Sequence, residues 1–174
     1  MRIEGINLAD DFWSDDWDHN PPITDEAVAD AERVLGVKLP RELVALLRIQ
    51  NGGYLKGFVY PTHRPTSWAQ DHVLLRELSG IGSSAAPSGL HNIYNTVYMT
   101  AEWGLPPKQV LLSGDGHWWI SLDYRTGAEP SVAWIDVEVG EDIQLAPSFG
   151  AFLNGLLPLE AIDEETCTLK NYGA

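Results

Sequence analysis

Few side chains of this sequence stand in a spacing that supports covalent chemistry. Cys167 is the sole cysteine and lies near the C-terminus, far from any motif that would lower its pKa, so it reads as a bystander thiol. No G-x-S-x-G occurs, which removes the common serine-nucleophile elbow. Gly80-Ile81-Gly82-Ser83-Ser84-Ala85 matches the loose G-x-G-x-x-A pattern. However, Pro87 and Gly89 spoil the helix that must follow and hold a pyrophosphate. Asp16-Trp17-Asp18-His19-Asn20 begins like a calcium loop, but Pro21 stands where the turn needs Gly and Ala27 where it needs a bidentate Glu. His19, His63, His72, His91 and His117 are scattered, with no i, i+4 pair to make a helical zinc site. Acidic residues are too abundant for any one pair to stand out as a hydrolytic couple. No catalytic residue, metal ligand or cofactor site is expected, and the chain reads as a non-enzyme.

The side chains with binding chemistry are the tryptophans and the aspartates around them. Asp10, Asp11, Trp13, Asp15, Asp16, Trp17 and Asp18 crowd one short irregular stretch, and Trp68 and Asp71 form a smaller group. Trp supplies contact area and Asp supplies steering and charge pairs, a composition suited to a basic protein partner. The alternative is that the N-terminal aromatics dock on the chain's own core. Trp118-Trp119 lie in a strand-like segment and must point to opposite faces. One belongs in the core, the other at its margin, and Trp134 is placed to pair with one of them.

The charge balance agrees with a binding role. Twenty-five acidic side chains against 11 basic ones give a net charge of -14 over 174 residues. Nucleic acid and anionic membrane repel such a chain, whereas a basic protein does not. The length suits one domain, and a single cysteine excludes an intrachain disulfide framework. The start has no basic stretch followed by an apolar run, and no segment reaches the roughly 20 apolar residues of a membrane span. A soluble, cytoplasmic protein is expected.

Elements that would position these groups are legible from caps and periodicity. Thr24 is a helix N-cap, with Asp25 and Glu26 in the first turn. Ala27, Val28, Ala31, Val34 and Leu35 follow at helical spacing, and Gly36 stops the helix. Pro40 opens a second helix with Leu43, Leu46 and Leu47 on its stripe, ended by Gln50-Asn51-Gly52-Gly53. Strands are expected at Gly57-Phe58-Val59-Tyr60, His72–Leu78, 109–112, Trp118–Asp123 and 131–137. A third helix is expected at 90–103, its stripe made of Ile93, Val97 and Ala101. A last one is expected at 148–157, with Phe149, Phe152, Leu153 and Leu156 inward. Helices first, then strands around one helix, then a closing helix favour an α+β fold with helices packed around a mainly antiparallel sheet.

Several of these pieces, taken together and in order, resemble the SUKH superfamily in its Smi/Knr-like branch. They are Ala31-Glu32-Arg33-Val34-Leu35-Gly36-Val37-Lys38-Leu39-Pro40, Asn51-Gly52-Gly53, Val110-Leu111-Leu112-Ser113-Gly114-Asp115-Gly116, Trp119 to Tyr124 and Ser148-Phe149-Gly150-Ala151-Phe152-Leu153. The resemblance covers 23–157, leaving 1–22 as an acidic aromatic lead-in and 158–174 as an acidic tail with a mobile end. It implies a twisted, mainly antiparallel sheet with helices around it. It also implies a protein-binding role: an immunity protein that neutralises a cognate bacterial toxin, often a nuclease with a basic cleft, or a regulatory module with a host protein partner.

Overall fold

The computed structural model describes residues 2–3, 6–7, 11–14, 20–84 and 92–170. Arg2–Ile3 (β1) and Ile6–Asn7 (β2) form a small antiparallel pair. Helices Asp25–Leu35 (α1) and Arg41–Ile49 (α2) follow. The Thr24 side chain accepts the Ala27 N–H at 3.2 Å, and Gly36 takes the left-handed conformation that ends α1. Pro40 sits one residue before α2, at its N-cap.

Strands Gly53–Pro61 (β3) and His72–Leu78 (β4) come next, then helix Asn95–Trp103 (α3). Gln109–Asp115 (β5), Trp118–Asp123 (β6), Ser131–Asp136 (β7) and Glu141–Ala146 (β8) form a meander, and Phe149–Asn154 (α4) and Leu157–Pro158 (β9) close the fold. The described strands pair antiparallel in two larger sheets, ordered β4-β3-β9 and β5-β6-β7-β8. A backbone bond from Ser79 N–H to Leu112 C=O (2.7 Å) links the two sheets. The α+β reading therefore holds.

The main core lies between the sheets and helices α1, α2 and α4, around Leu43, Leu46, Phe58, Leu112, Trp134, Phe149 and Phe152. A second apolar layer on the other face of the four-stranded sheet joins Leu111, Trp119, Ala133 and Ile135 to Leu105 and to Met99 of α3. Trp118 and Trp119 thus face opposite layers, as the strand period requires.

Several elements differ from the sequence reading, each for a physical reason. The third helix begins at Asn95, because Ile93 donates its N–H to Gly80 C=O and Asn92 bridges to Gly80. Of the expected stripe, Ile93 is buried, but Val97 is 63% exposed and Ala101 is exposed too. Thr96 sets the opposite face, since its hydroxyl accepts the Leu111 N–H at 3.0 Å. The last helix ends at Asn154, and 157–158 is a strand against β3. β3 is longer than expected and β8 was not expected. Acidic residues open β8, but Ile143 and Leu145 alternate inward with Asp142 and Gln144 outward, which was a readable period-2 signal.

Asn51-Gly52 and Gly80 meet backbone to backbone. A Cβ on Gly80 would lie 2.2 Å from Asn51 O, and one on Gly52 would lie 2.5 Å from Gly80 N. The buried Asn51 side chain then donates to Ile81 C=O (2.8 Å) and Pro21 C=O (2.6 Å), and accepts Ile81 N–H (2.8 Å). The G-x-G run beginning at Gly80 is therefore half of a staple.

Candidate functional site

The lead-in residues divide between core and surface. Ser14 N–H donates to Tyr54 C=O and Lys56 N–H to Phe12 C=O, so 12–14 pair with the start of β3. This pairing turns Trp13 inward, only 8% exposed and edge-on to Phe12, while Phe12 stacks on Phe58 at 5.2 Å. Trp13 is thus committed to the protein's own core, and a partner does not reach it. Asp11 is exposed, its carboxylate 3.8 Å from Lys56 Nζ. Asp10, Asp15, Asp16, Trp17 and Asp18 lie outside the described residues.

Asp71 and Trp68 lie in the β3–β4 loop and behave differently. Asp71 Oδ1 bonds His72 Nδ1 (2.8 Å) and its Oδ2 accepts Leu169 N–H (2.9 Å). It fastens the C-terminal segment, which docks as far as Lys170 through an Ile162 to Leu169 bridge. Trp68 is 43% exposed and leans on Trp118, with ring centroids 5.3 Å apart. Trp118 in turn stacks on the buried Trp134 at 5.4 Å. The three indoles form a ladder from core to surface.

Carboxylates hold the ladder in place. In the loop 62–71, Thr66 Oγ1 accepts the N–H groups of Trp68 and Ala69, which fixes the turn. Ser67 Oγ donates to Asp136 Oδ2 (2.6 Å) and Ser67 N–H to Glu141 Oε2 (2.9 Å). The same Glu141 oxygen accepts Trp134 Nε1–H at 2.8 Å. Asp136 also bonds the His117 ring (Oδ1 to Nδ1, 3.0 Å), and Glu138 lies 3.5 Å from the other ring nitrogen.

Burial alone would push the Asp136 carboxyl up. The Ser67 hydroxyl, the His117 ring and the Glu138 N–H outweigh it and hold the group below its ordinary range. The hydrogen bond that the His117 ring donates to Asp136 raises His117 above the usual imidazole value.

The sequence reading missed Ser67, His117, Asp136 and Glu141 as supports of this site. The spacing of Trp118 and Trp134 was the available signal, because diagonal neighbours on one sheet face lie within reach of large aromatics. The arrangement presents the Trp68 indole face above a buried Asp136, with Glu141 half-buried beside it and Glu138 exposed beyond His117. Such a surface suits a guanidinium or ammonium group, by cation–π contact and charge pairing.

A cleft of about 630 Å³ lies elsewhere, between the end of α1 and the turn after β6, lined by Leu35, Val37, Lys38, Lys108 and Tyr124 among others. Lys38 pairs with Glu32, and the Tyr124 hydroxyl donates to Lys38 C=O at 2.6 Å. Burial pushes that phenol well above its usual range. Arg125 is held between Asp123 and Asp142, 2.6 Å from each. Among the described residues no three metal-ligating side chains gather, and no helix is long and apolar enough to cross a membrane. In comparisons with known proteins, the profile of the SMI1 / KNR4 family (SUKH-1) matches residues 22–155, and no curated protein matches the chain.

Proposed function

Because the chain belongs to the SMI1 / KNR4 family (SUKH-1), a family associated with immunity to polymorphic toxins, we propose that it binds and neutralises one cognate protein toxin. The family match is the observation that carries this reading. The net charge of -14 adds the chemistry of the target. A basic toxin, of which a nuclease with a phosphate-binding cleft is the leading case, is attracted by such a field, and its phosphate-binding residues pair with carboxylates. The protein acts by occupancy: it covers the toxin surface and performs no reaction of its own.

Asp10, Asp11, Asp15, Asp16, Trp17 and Asp18 remain contact candidates on composition. Trp68 is one on exposure as well. Trp13 is buried against Phe12, and Asp71 is engaged by His72 and the Leu169 N–H. Co-expression with the product of the neighbouring gene tests the reading. That product is expected to be toxic alone and harmless with this chain present. A harmless neighbour, or toxicity that persists on co-expression, refutes it. Charge reversal across the N-terminal aspartates is expected to slow association markedly at low salt. An unchanged on-rate removes them from the interface.

A further inference from the structure

The outer face of α3 breaks the usual rule for a helix beside water. A surface helix normally turns polar side chains outward. Here Thr96 and Met99 face the fold, while Val97 and Tyr98 stand 63% and 62% exposed and Ala101 is exposed beside them. Trp103 closes the helix, 44% exposed, with its ring laid against Gly116 in the β5–β6 turn. That turn leads through His117 to Glu138 and to Val139, which is 60% exposed in the β7–β8 turn. Trp118, the next residue, carries Trp68. Of the eight large apolar side chains exposed among the described residues, Val97, Tyr98, Trp103 and Val139 fall on this side, while Trp68 stands across the sheet end on the Trp118 face.

Around α3 and the adjoining turns the band is short of cations, although Arg64 is exposed in the loop that carries Trp68. Between 92 and 146 the only Lys or Arg residues are Lys108 and Arg125. Arg125 is taken up by Asp123 and Asp142, and Lys108 lies before the far end of β5. Glu102, Asp115 and Glu138 are exposed along the band. An apolar strip edged chiefly by carboxylates (Glu102, Asp115 and Glu138) complements an apolar patch edged by Lys and Arg, and it disfavours an acidic partner or a second copy of this chain.

We infer that Val97, Tyr98 and Trp103 of α3, together with Asp115 and Glu138 of the adjoining turns, form the principal docking surface for the basic toxin. This inference rests on the proposed function and assigns the surface to a part of the fold that the sequence reading did not single out. The aromatic and aliphatic side chains supply the desolvated centre, and the carboxylates orient the approach.

The test uses the full chain and the toxin domain of the neighbouring gene. Tyr98→Ala and Val97→Ser change exposed side chains, so wild-type melting is expected. Each is expected to weaken binding about tenfold or more. Val34→Ser and Ile49→Ser, at exposed apolar positions on α1 and α2, are expected to bind as wild type. Glu138→Lys is expected to slow association, most at low salt. Hydrogen exchange on the wild-type complex is expected to protect 97–103 and 115–118. Neutralisation by the wild type, with affinities of Tyr98→Ala and Val97→Ser within twofold of it and no protection of α3, overturns this surface and leaves the proposed function standing. Failure of the wild type to bind the toxin overturns both.

Discussion

Asn51→Ala is expected to lower stability sharply without touching the binding surface. Asn51 is 3% exposed and Ile81 is equally buried. Its side chain satisfies both the N–H and the C=O of Ile81, each at 2.8 Å. Pro21 is exposed, so its carbonyl turns to water when Asn51 is lost. The two Ile81 groups cannot, and each orphaned buried group costs about 1–3 kcal/mol. The expected loss is therefore about 2–6 kcal/mol, or about 4–24 °C in Tm for a chain of this size.

Differential scanning calorimetry measures it directly. Asn51→Asp separates the mechanism from simple cavity formation. A carboxylate still accepts Ile81 N–H but faces the carbonyls of Ile81 and Pro21 with negative charge. Burial and the two facing carbonyls are expected to favour its neutral form, so its deficit is expected to shrink as pH falls, where the protonated acid donates again. A Tm for Asn51→Ala within about 1 °C of wild type refutes the reasoning, given the 2–4 °C expected per kcal/mol. Toxin affinity of the folded fraction is expected to stay unchanged.

Other expectations follow from the same geometry. Gly80→Ala places a Cβ 2.2 Å from Asn51 O and is expected to abolish or severely weaken folding, whereas Gly127→Ala meets nothing within 4 Å and is expected to melt as wild type. The His117–Asp136 contact implies a pH window. His117 is raised, so its stabilisation is full below about 6.5 and is lost as pH rises through the native value. Asp136 is depressed, so its share is present above about 3.9 and is lost as pH falls through the native value. Tm against pH for wild type and His117→Gln is expected to diverge inside that window and converge above it; parallel curves refute the assignment. Trp68→Ala is expected to change Tm little, because the side chain is 43% exposed, yet to weaken toxin binding about tenfold; titration calorimetry reads the difference.

The two ends of this reading, caps and site, were legible to different degrees. Thr24, Gly36 and Ser148 act locally, so the helices they bound could be placed from a few neighbouring residues. The strands of the meander showed their alternation for the same reason. The α3 stripe was misread because the sequence does not disclose which face meets β5. That choice was made by the Thr96 hydroxyl and the Leu111 N–H, fifteen positions apart. The site shows the same division. Trp68 announced itself by type, but its supports, Asp136 and Glu141, lie 69 and 74 positions from Ser67. Trp13 stood in an acidic stretch, and only its pairing with β3 reveals that it faces inward.

The shared edge of β3 bears on how the protein is made. Residues 12–14 cover the first part of that edge, and β9 covers the part at Phe58 and Val59. The first cover is synthesised before β3, but Pro158 leaves the ribosome a hundred residues after the Phe58 it pairs with. At about 5–20 residues per second this leaves half the edge bare for about 5–20 s. During that interval the nascent chain presents an unpaired apolar strand, and the arrival of β9, more than any local folding step, sets when the edge is closed. Under the proposed toxin-neutralising function, a cell is therefore served by molecules finished in advance of the threat.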